Sequence, residues 1–260
     1  LGYGVSQTPD LQHPYLSLKL TGSTCADMIS ASDSYVALKG IGLKAEKLDL
    51  VGYSQGGAAT VSTLVELEKR DFDDGRINEV WAGAGPYDIL GFFNAFKNVE
   101  RYDRTGFIPF AIRGICYSEN LSIPYPKLYN AELMARVDLE SLFSTKQLDD
   151  WHSVLGKSIR DILNPCFYED NFGGDADLLK LRAAMERNSV TSCPAPANIA
   201  KVKLYHSETD DTVPYACSES LAAKWGVTEI TKLKKQNDHM SAGIEFMLRY
   251  CGFDFMVDYI

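Results

Sequence analysis

A serine among glycines, a late histidine and two adjacent aspartates are the residues of this 260-residue chain whose types and spacing could do chemistry. The serine is Ser54, in the run Gly52-Tyr53-Ser54-Gln55-Gly56-Gly57. A hydroxyl is a weak nucleophile until a base takes its proton, and that base needs a carboxylate to fix its tautomer and stabilise its cation. The chain has four histidines: His13, His152, His206 and His239. His239, in KKQNDHMSAG, opens the last helical pattern and is the candidate base. His206 ends a strand pattern and reads as a turn residue. His13 precedes the serine motif, His152 lies in the middle of the chain, and these three fit a structural imidazole better. The acid belongs to HSETDDTVP (206–214), where Glu208, Asp210 and Asp211 all qualify. Asp238 adjoins His239, but a neighbour in sequence rarely presents its carboxylate to the ring in the required geometry.

On its own, G-x-S-x-G is weak, because a chain this long has about a one-in-ten chance of one match at ordinary glycine frequency. The elements around it raise its weight. Residues 47–53 (KLDLVGY) have the pattern of a buried strand and 55–70 that of a helix, so Ser54 stands on a sharp strand-to-helix turn. Such a turn strains the serine backbone and requires small residues two positions to either side. It also aims the Gln55 N–H, in the first turn of the helix, at an oxyanion formed beside Ser54 Oγ. Further elements follow the same alternation. A helix is expected over 23–39, N-capped by Ser23 and presenting Met28, Ile29, Tyr35, Val36 and Leu38 as its face, with Gly40 ending it. Strands are expected at 78–84, 201–206 and 227–233, and helices at 214–225 and 241–251. Repeated β-then-α units imply a parallel sheet with helices on its faces. The candidate acid and base leave the carboxyl ends of the last two strands, where ligand crevices form in open α/β sheets. Residues 86–200 differ: aromatic-rich helical periodicity, broken by IPYPKLYN and SCPAPAN, implies a helical insertion.

Composition sets limits. With 45% hydrophobic and 23% charged residues, the chain is that of a globular protein able to bury a core. A net charge of −9 and no basic run longer than KLKK at 232–235 argue against a nucleic-acid partner. No apolar run reaches the roughly 18–20 residues of a membrane span. The start, LGYGVSQTPD, has no signal-peptide pattern, which a mature exported protein would have lost. The six cysteines show no zinc spacing; the even number suits up to three disulfides in an exported protein and equally suits buried free thiols. Cys166 and Cys193, in Pro-rich loop sequence, are the best candidates for one bridge.

Taken together, the LGYG-x-S start followed by HPYL, the turn GYSQGG, a large insertion after GAGPYD, and DDTVP with a late histidine resemble the α/β-hydrolase superfamily. The match is nearest to its secretory-lipase-like and prolyl-oligopeptidase-like esterases. The resemblance implies a catalytic Asp separated from Val-Pro by two residues. That picks Asp210 and leaves Asp211 and Glu208 as solvated loop acids or turn formers. It also implies that 1–85 and 201–260 are a partial core, strands five to eight of the family fold, with 86–200 a helical cap. Strands one to four, and the loop giving a second oxyanion N–H, would precede residue 1, making these residues the C-terminal part of a longer protein. The expected activity is hydrolysis of a carboxylic ester by Ser54, His239 and Asp210, with Gln55 N–H on the oxyanion. It requires no metal or organic cofactor, and its partner would be a small-molecule, lipid or sugar ester. Two alternatives stand beside it: a serine peptidase or acylaminoacyl hydrolase with the same three residues, and a non-catalytic binding protein on the same scaffold.

Overall fold

The computed structural model describes residues 13–41, 46–70, 75–97, 99–145, 148–234 and 238–259, so the LGYG stretch lies outside the described residues. In chain order the elements are α1 (Leu18–Leu38), β1 (Leu48–Tyr53), α2 (Gln55–Lys69), β2 (Ile77–Gly83), α3 (Ile89–Phe96) and α4 (Phe107–Ser118). Then come α5 (Tyr125–Leu128), α6 (Ala131–Arg136), α7 (Leu139–Thr145), α8 (Leu148–Leu155) and α9 (Ala176–Asn188). The chain continues with β3 (Val202–Ser207), α10 (Ala216–Trp225), β4 (Ile230–Leu233) and α11 (His239–Tyr250). Residues 18–88 and 189–260 form one compact unit, and residues 89–188, with the segment ending at Ser17, form another.

The first unit holds the sheet. Its four strands run parallel in the order β1-β2-β3-β4, with Tyr53 opposite Gly83, Gly83 opposite Tyr205, and Ser207 opposite Leu233. All four strand ends that carry loops therefore lie along one edge of the sheet, as the β-then-α pattern required. Alternation along the strands sorts the side chains by face. Val51, Tyr53, Trp81, Tyr205 and Leu233 pack with Ala242 and Phe246 of α11. The opposite face meets α2, which is buried at Ala58, Val61, Leu64 and Leu67. Burying a side chain such as Leu64 stabilises by about 1.5–3 kcal/mol, so α2 is held by packing on nearly every side.

Helix α1 differs from expectation. It begins at Leu18 instead of residue 23, so Ser23 lies inside it and its hydroxyl accepts from Arg70 at 2.7 Å. Its buried positions are Leu18, Gly22 and Ala26, whereas Met28, Tyr35 and Leu38 are exposed. The reason is close approach: a Cβ at Gly22 would sit 2.6 Å from the Ser62 carbonyl oxygen of α2. Small residues four apart bring the helices together, and the large apolar residues fall on the other side.

The second unit is helical. Among the described residues its only β pairing is an isolated bridge between Tyr129 and Leu163. Its aromatics pack on one another: Phe96 with Phe92 and Tyr102, Phe167 with Phe93 and Phe172, Trp151 with Phe110 and Phe143. His13–Ser17 belong here because Gly114 lets the Tyr15 backbone come within 2.4 Å of where its Cβ would be. The expected Cys166–Cys193 bridge is not formed, and both cysteines are free. Cys166 Sγ instead lies against the turn at Gly173. Among the described residues no helix is long and apolar enough to cross a membrane.

Candidate active site

Strand β1 delivers the chain into Ser54 with φ 58° and ψ −127°, a conformation that costs a non-glycine residue about 1–3 kcal/mol. The backbone on both sides over-determines it. Ser54 N–H donates to the Gly83 carbonyl at 2.9 Å, and Ser54 C=O accepts from Gly57 N–H at 2.9 Å and Ala58 N–H at 3.3 Å. A Cβ at Gly52 would lie 2.1 Å from the Gly56 carbonyl oxygen, and one at Gly57 would lie 2.4 Å from that of Gly83. A Cβ at Gly56 would meet nothing within 4 Å among the described residues. The need for small residues thus holds at Gly52 but falls on Gly57, not Gly56, on the helical side. Gln55 is the first residue of α2, where N–H groups point out of the helix end and the macrodipole is positive.

The loop after β3 carries the acids and that after β4 the histidine. Asp238 caps α11 by accepting Ser241 N–H at 2.8 Å, which makes His239 the first residue of the helix. His239 Nε2 lies 2.8 Å from Ser54 Oγ, and its Nδ1 lies 2.7 Å from Asp210 Oδ2. A carboxylate only accepts, so Nδ1 carries the proton and Nε2 is left to accept from the serine hydroxyl. The other carboxylate oxygen, Asp210 Oδ1, accepts Thr212 N–H at 2.9 Å and Val213 N–H at 2.8 Å. The Asp210 side chain is fully buried and that of His239 nearly so. Burial alone would raise the Asp210 carboxyl, but hydrogen bonds from the His206 and His239 imidazoles and from Val213 N–H outweigh it and hold the group well below the usual carboxylate range.

The neighbouring acids divide cleanly. Glu208 is exposed and pairs with Lys232 at 2.6 Å. Asp238 is occupied by its helix cap. Asp211 is exposed, yet its Oδ1 accepts the backbone N–H of His239 at 3.2 Å and the Thr212 hydroxyl at 3.1 Å. Two residues to which the sequence reading gave no part in the site join it. His206, read as a turn residue, is buried with Nε2 3.0 Å from the Val213 carbonyl and 3.4 Å from Asp210 Oδ2, while Nδ1 faces Ser218 Oγ at 2.7 Å. Facing a carbonyl, Nε2 carries the proton, and Nδ1 accepts from Ser218. Tyr53 donates its hydroxyl to the His239 carbonyl at 2.8 Å. Nothing local in sequence signals the Tyr53 contact, whose partners lie 186 positions apart and meet only across strand ends; His206 and Asp210 are four positions apart in one turn, and only the path of that turn shows that the imidazole faces the carboxylate. Among the described residues no group of three or more His, Cys, Asp or Glu side chains could hold a metal ion.

No family model matches the chain. No curated protein matches it either. Solved structures do. A hydrolase candidate from Legionella pneumophila superposes with a TM-score of 0.78 at 19% identity, covering 99% of this chain and 68% of that one. The ligand-bound rice cell wall degrading esterase LipA from Xanthomonas oryzae gives 0.69 at 22%, over 95% of this chain and 66% of that one. Candida antarctica lipase A in its closed state gives 0.60 at 15%, over 94% and 55%. The chain has the α/β-hydrolase fold. It spans about two thirds of the first two structures and just over half of the third.

Proposed function

We propose that the chain carries the catalytic residues of a serine hydrolase of carboxylic esters. The observation that supports this most directly is the unbroken line Ser54 Oγ, His239 Nε2, His239 Nδ1, Asp210 Oδ2, with steps of 2.8 and 2.7 Å across the ring. In this reading Ser54 Oγ bonds to the ester carbonyl carbon as His239 Nε2 takes its proton. The carbonyl electron pair moves to oxygen, facing Gln55 N–H at the positive end of α2. Collapse expels the alkoxide, which leaves with the proton from His239. Water then adds to the acyl-serine, giving its proton to the same nitrogen, and the acid departs as Ser54 is restored. Asp210 stays ionised and stabilises the imidazolium. Nothing in this sequence of steps calls for a metal or organic cofactor.

The substrate class is drawn from the esterase and lipase neighbours as much as from the site. The test is paired. The full-length protein is given a p-nitrophenyl ester and the matched p-nitroanilide, and a fluorophosphonate probe with Ser54→Ala as control. Ester turnover well above anilide turnover, with label on Ser54 alone, is expected. Preferential anilide cleavage would move the assignment to a peptidase, and absence of both turnover and label would leave a binding protein.

The same proposal includes a further segment of the same protein that completes the sheet. Among the described residues β1 is paired on one side only, and its side chains are partly exposed. Proteins avoid a partly apolar, unpaired edge of this kind. Exposed Met28, Tyr35 and Leu38 on α1, and coverage of about two thirds of its neighbours' length, point the same way. That segment would bring the second oxyanion donor. Full activity from these 260 residues as a monomer would overturn it. Export to the periplasm or the medium completes the proposal; likeness to a rice cell wall degrading esterase supports it, and detection of the protein in a periplasmic extract or in culture medium tests it.

A further inference from the structure

The candidate base is gripped by more than its ring. Three separate groups act on His239: Asp210 on Nδ1 at 2.7 Å, Asp211 Oδ1 on the backbone N–H at 3.2 Å, and the Tyr53 hydroxyl on the backbone carbonyl at 2.8 Å. Two of them come from the loop after β3 and one from the residue immediately before Ser54. The peptide units on both sides of the histidine are therefore tied to the elements that carry the acid and the nucleophile.

Tyr53 occupies a slot shaped for it. A Cβ at Gly83, its partner across β2, would lie 2.6 Å from Tyr53 Cδ2. A Cβ at Gly243, one helical turn beyond His239, would lie 3.0 Å from Tyr53 Cε1. Glycine on both sides lets the ring lie flat between the sheet and α11, with its centroid 5.0 Å from the imidazole and 5.5 Å from the Phe246 ring. Burial, and then the Asp210 charge, push the Tyr53 phenol far above its ordinary range. It therefore remains a donor throughout any assay. Asp211 serves the N–H in another way: it is exposed, and what it offers is an acceptor oxygen.

We infer that Tyr53 and Asp211 are positioning residues that fix the backbone of His239, so that Nε2 stays on the Ser54 hydroxyl while Asp210 holds the ring. The inference rests on the assignment of Ser54, His239 and Asp210 proposed above. It explains why the acids are adjacent: consecutive side chains leave the turn in different directions, one to the imidazole and one to its peptide nitrogen. A base free to drift loses alignment with the attacking oxygen, and small misplacements of reacting groups are costly in rate.

The experiment uses full-length Tyr53→Phe, Asp211→Ala and Asp211→Asn, with a fluorophosphonate titration that counts competent sites. Tyr53→Phe keeps the ring in its slot and removes one hydrogen bond, and kcat per titrated site is expected to fall about tenfold with KM within about twofold. Asp211→Ala is expected to fall about fivefold, whereas Asp211→Asn, whose amide oxygen still accepts, stays near wild type. A purely structural role would lower the number of titrated sites and leave the rate per site unchanged, which overturns the inference. So would equal losses in Asp211→Asn and Asp211→Ala, because charge and not the acceptor would then be at work. Asp211 is exposed, so this arm survives even if Tyr53→Phe fails to fold. If wild type neither labels at Ser54 nor cleaves esters, the parent assignment fails, and this inference falls with it.

Discussion

Replacing Asp210 by Asn is the perturbation whose outcome the geometry determines most sharply. Asp210 Oδ1 accepts two backbone N–H groups, from Thr212 and Val213, at 2.9 and 2.8 Å. In the amide, only the oxygen can take those bonds, so the NH2 group turns to the position of Oδ2, 2.7 Å from His239 Nδ1. A donor now faces Nδ1, which must give up its proton and accept. The remaining ring proton moves to Nε2, 2.8 Å from Ser54 Oγ, where an acceptor is required. The base is thus locked in the wrong tautomer, and the negative charge beside the imidazolium is gone as well. Loss of tautomer and charge together in an otherwise intact serine site is worth about 10³–10⁴ in kcat, or about 4–5.5 kcal/mol of barrier. The assay is steady-state hydrolysis of a p-nitrophenyl ester near pH 8, with the rate of fluorophosphonate labelling falling by the same factor. Stability moves too. The Asp210 carboxyl is held below its ordinary value in the fold, so its contribution is fully present above about pH 4 and is lost as pH falls through the depressed value. The melting-temperature gap between wild type and Asp210→Asn should therefore be open at pH 7 and narrow below about pH 4. A loss under tenfold, or Asp211→Asn losing as much as Asp210→Asn, would refute the assignment of the acid.

Three more predictions follow from packing and thiol chemistry. Gly52→Ala places a Cβ 2.1 Å from the Gly56 carbonyl and should destabilise by several kcal/mol or block folding, while Gly56→Ala folds with an unchanged or higher melting temperature; circular-dichroism melts decide, and equal damage at both positions counts against the turn geometry. Gly22→Ala forces α1 away from Ser62 of α2 and should cost about 1–3 kcal/mol in a urea titration. A denaturing thiol titration without reductant should find all six cysteines of these 260 residues as thiols, and protection of both Cys166 and Cys193 would restore the disulfide.

Much of the candidate site was legible because its residues are tied to strand ends. The turn at Ser54 needs a strand before it and a helix after it, and both patterns are visible in LDLVGYSQGGAATVSTLV. His239 follows from being the one histidine that opens the final helix, and the spacing to Val-Pro singles out Asp210 by resemblance. Other features were not legible, for identifiable reasons. Periodicity in α1 pointed to the large apolar residues as its buried face, but the close helix contact is made by Gly22 and Ala26, which carry little hydrophobic signal. The proline-flanked cysteines suggested a bridge, but proline-rich turns position a backbone without bringing two sulfurs together.

What the sequence by itself determined are the local rules: which residue types could act, the alternation of strand and helix, and the glycines that a strained turn requires. These depend on neighbours a few positions away. Only the tertiary structure decided how the acids divide their work and which other side chains join them. Asp211 turns to the backbone of the histidine, 28 positions on, and Tyr53 reaches its carbonyl from 186 positions away. The physical reason is that hydrogen bonds are directional over about 3 Å, and separations that short between distant residues are set by how parallel strands align.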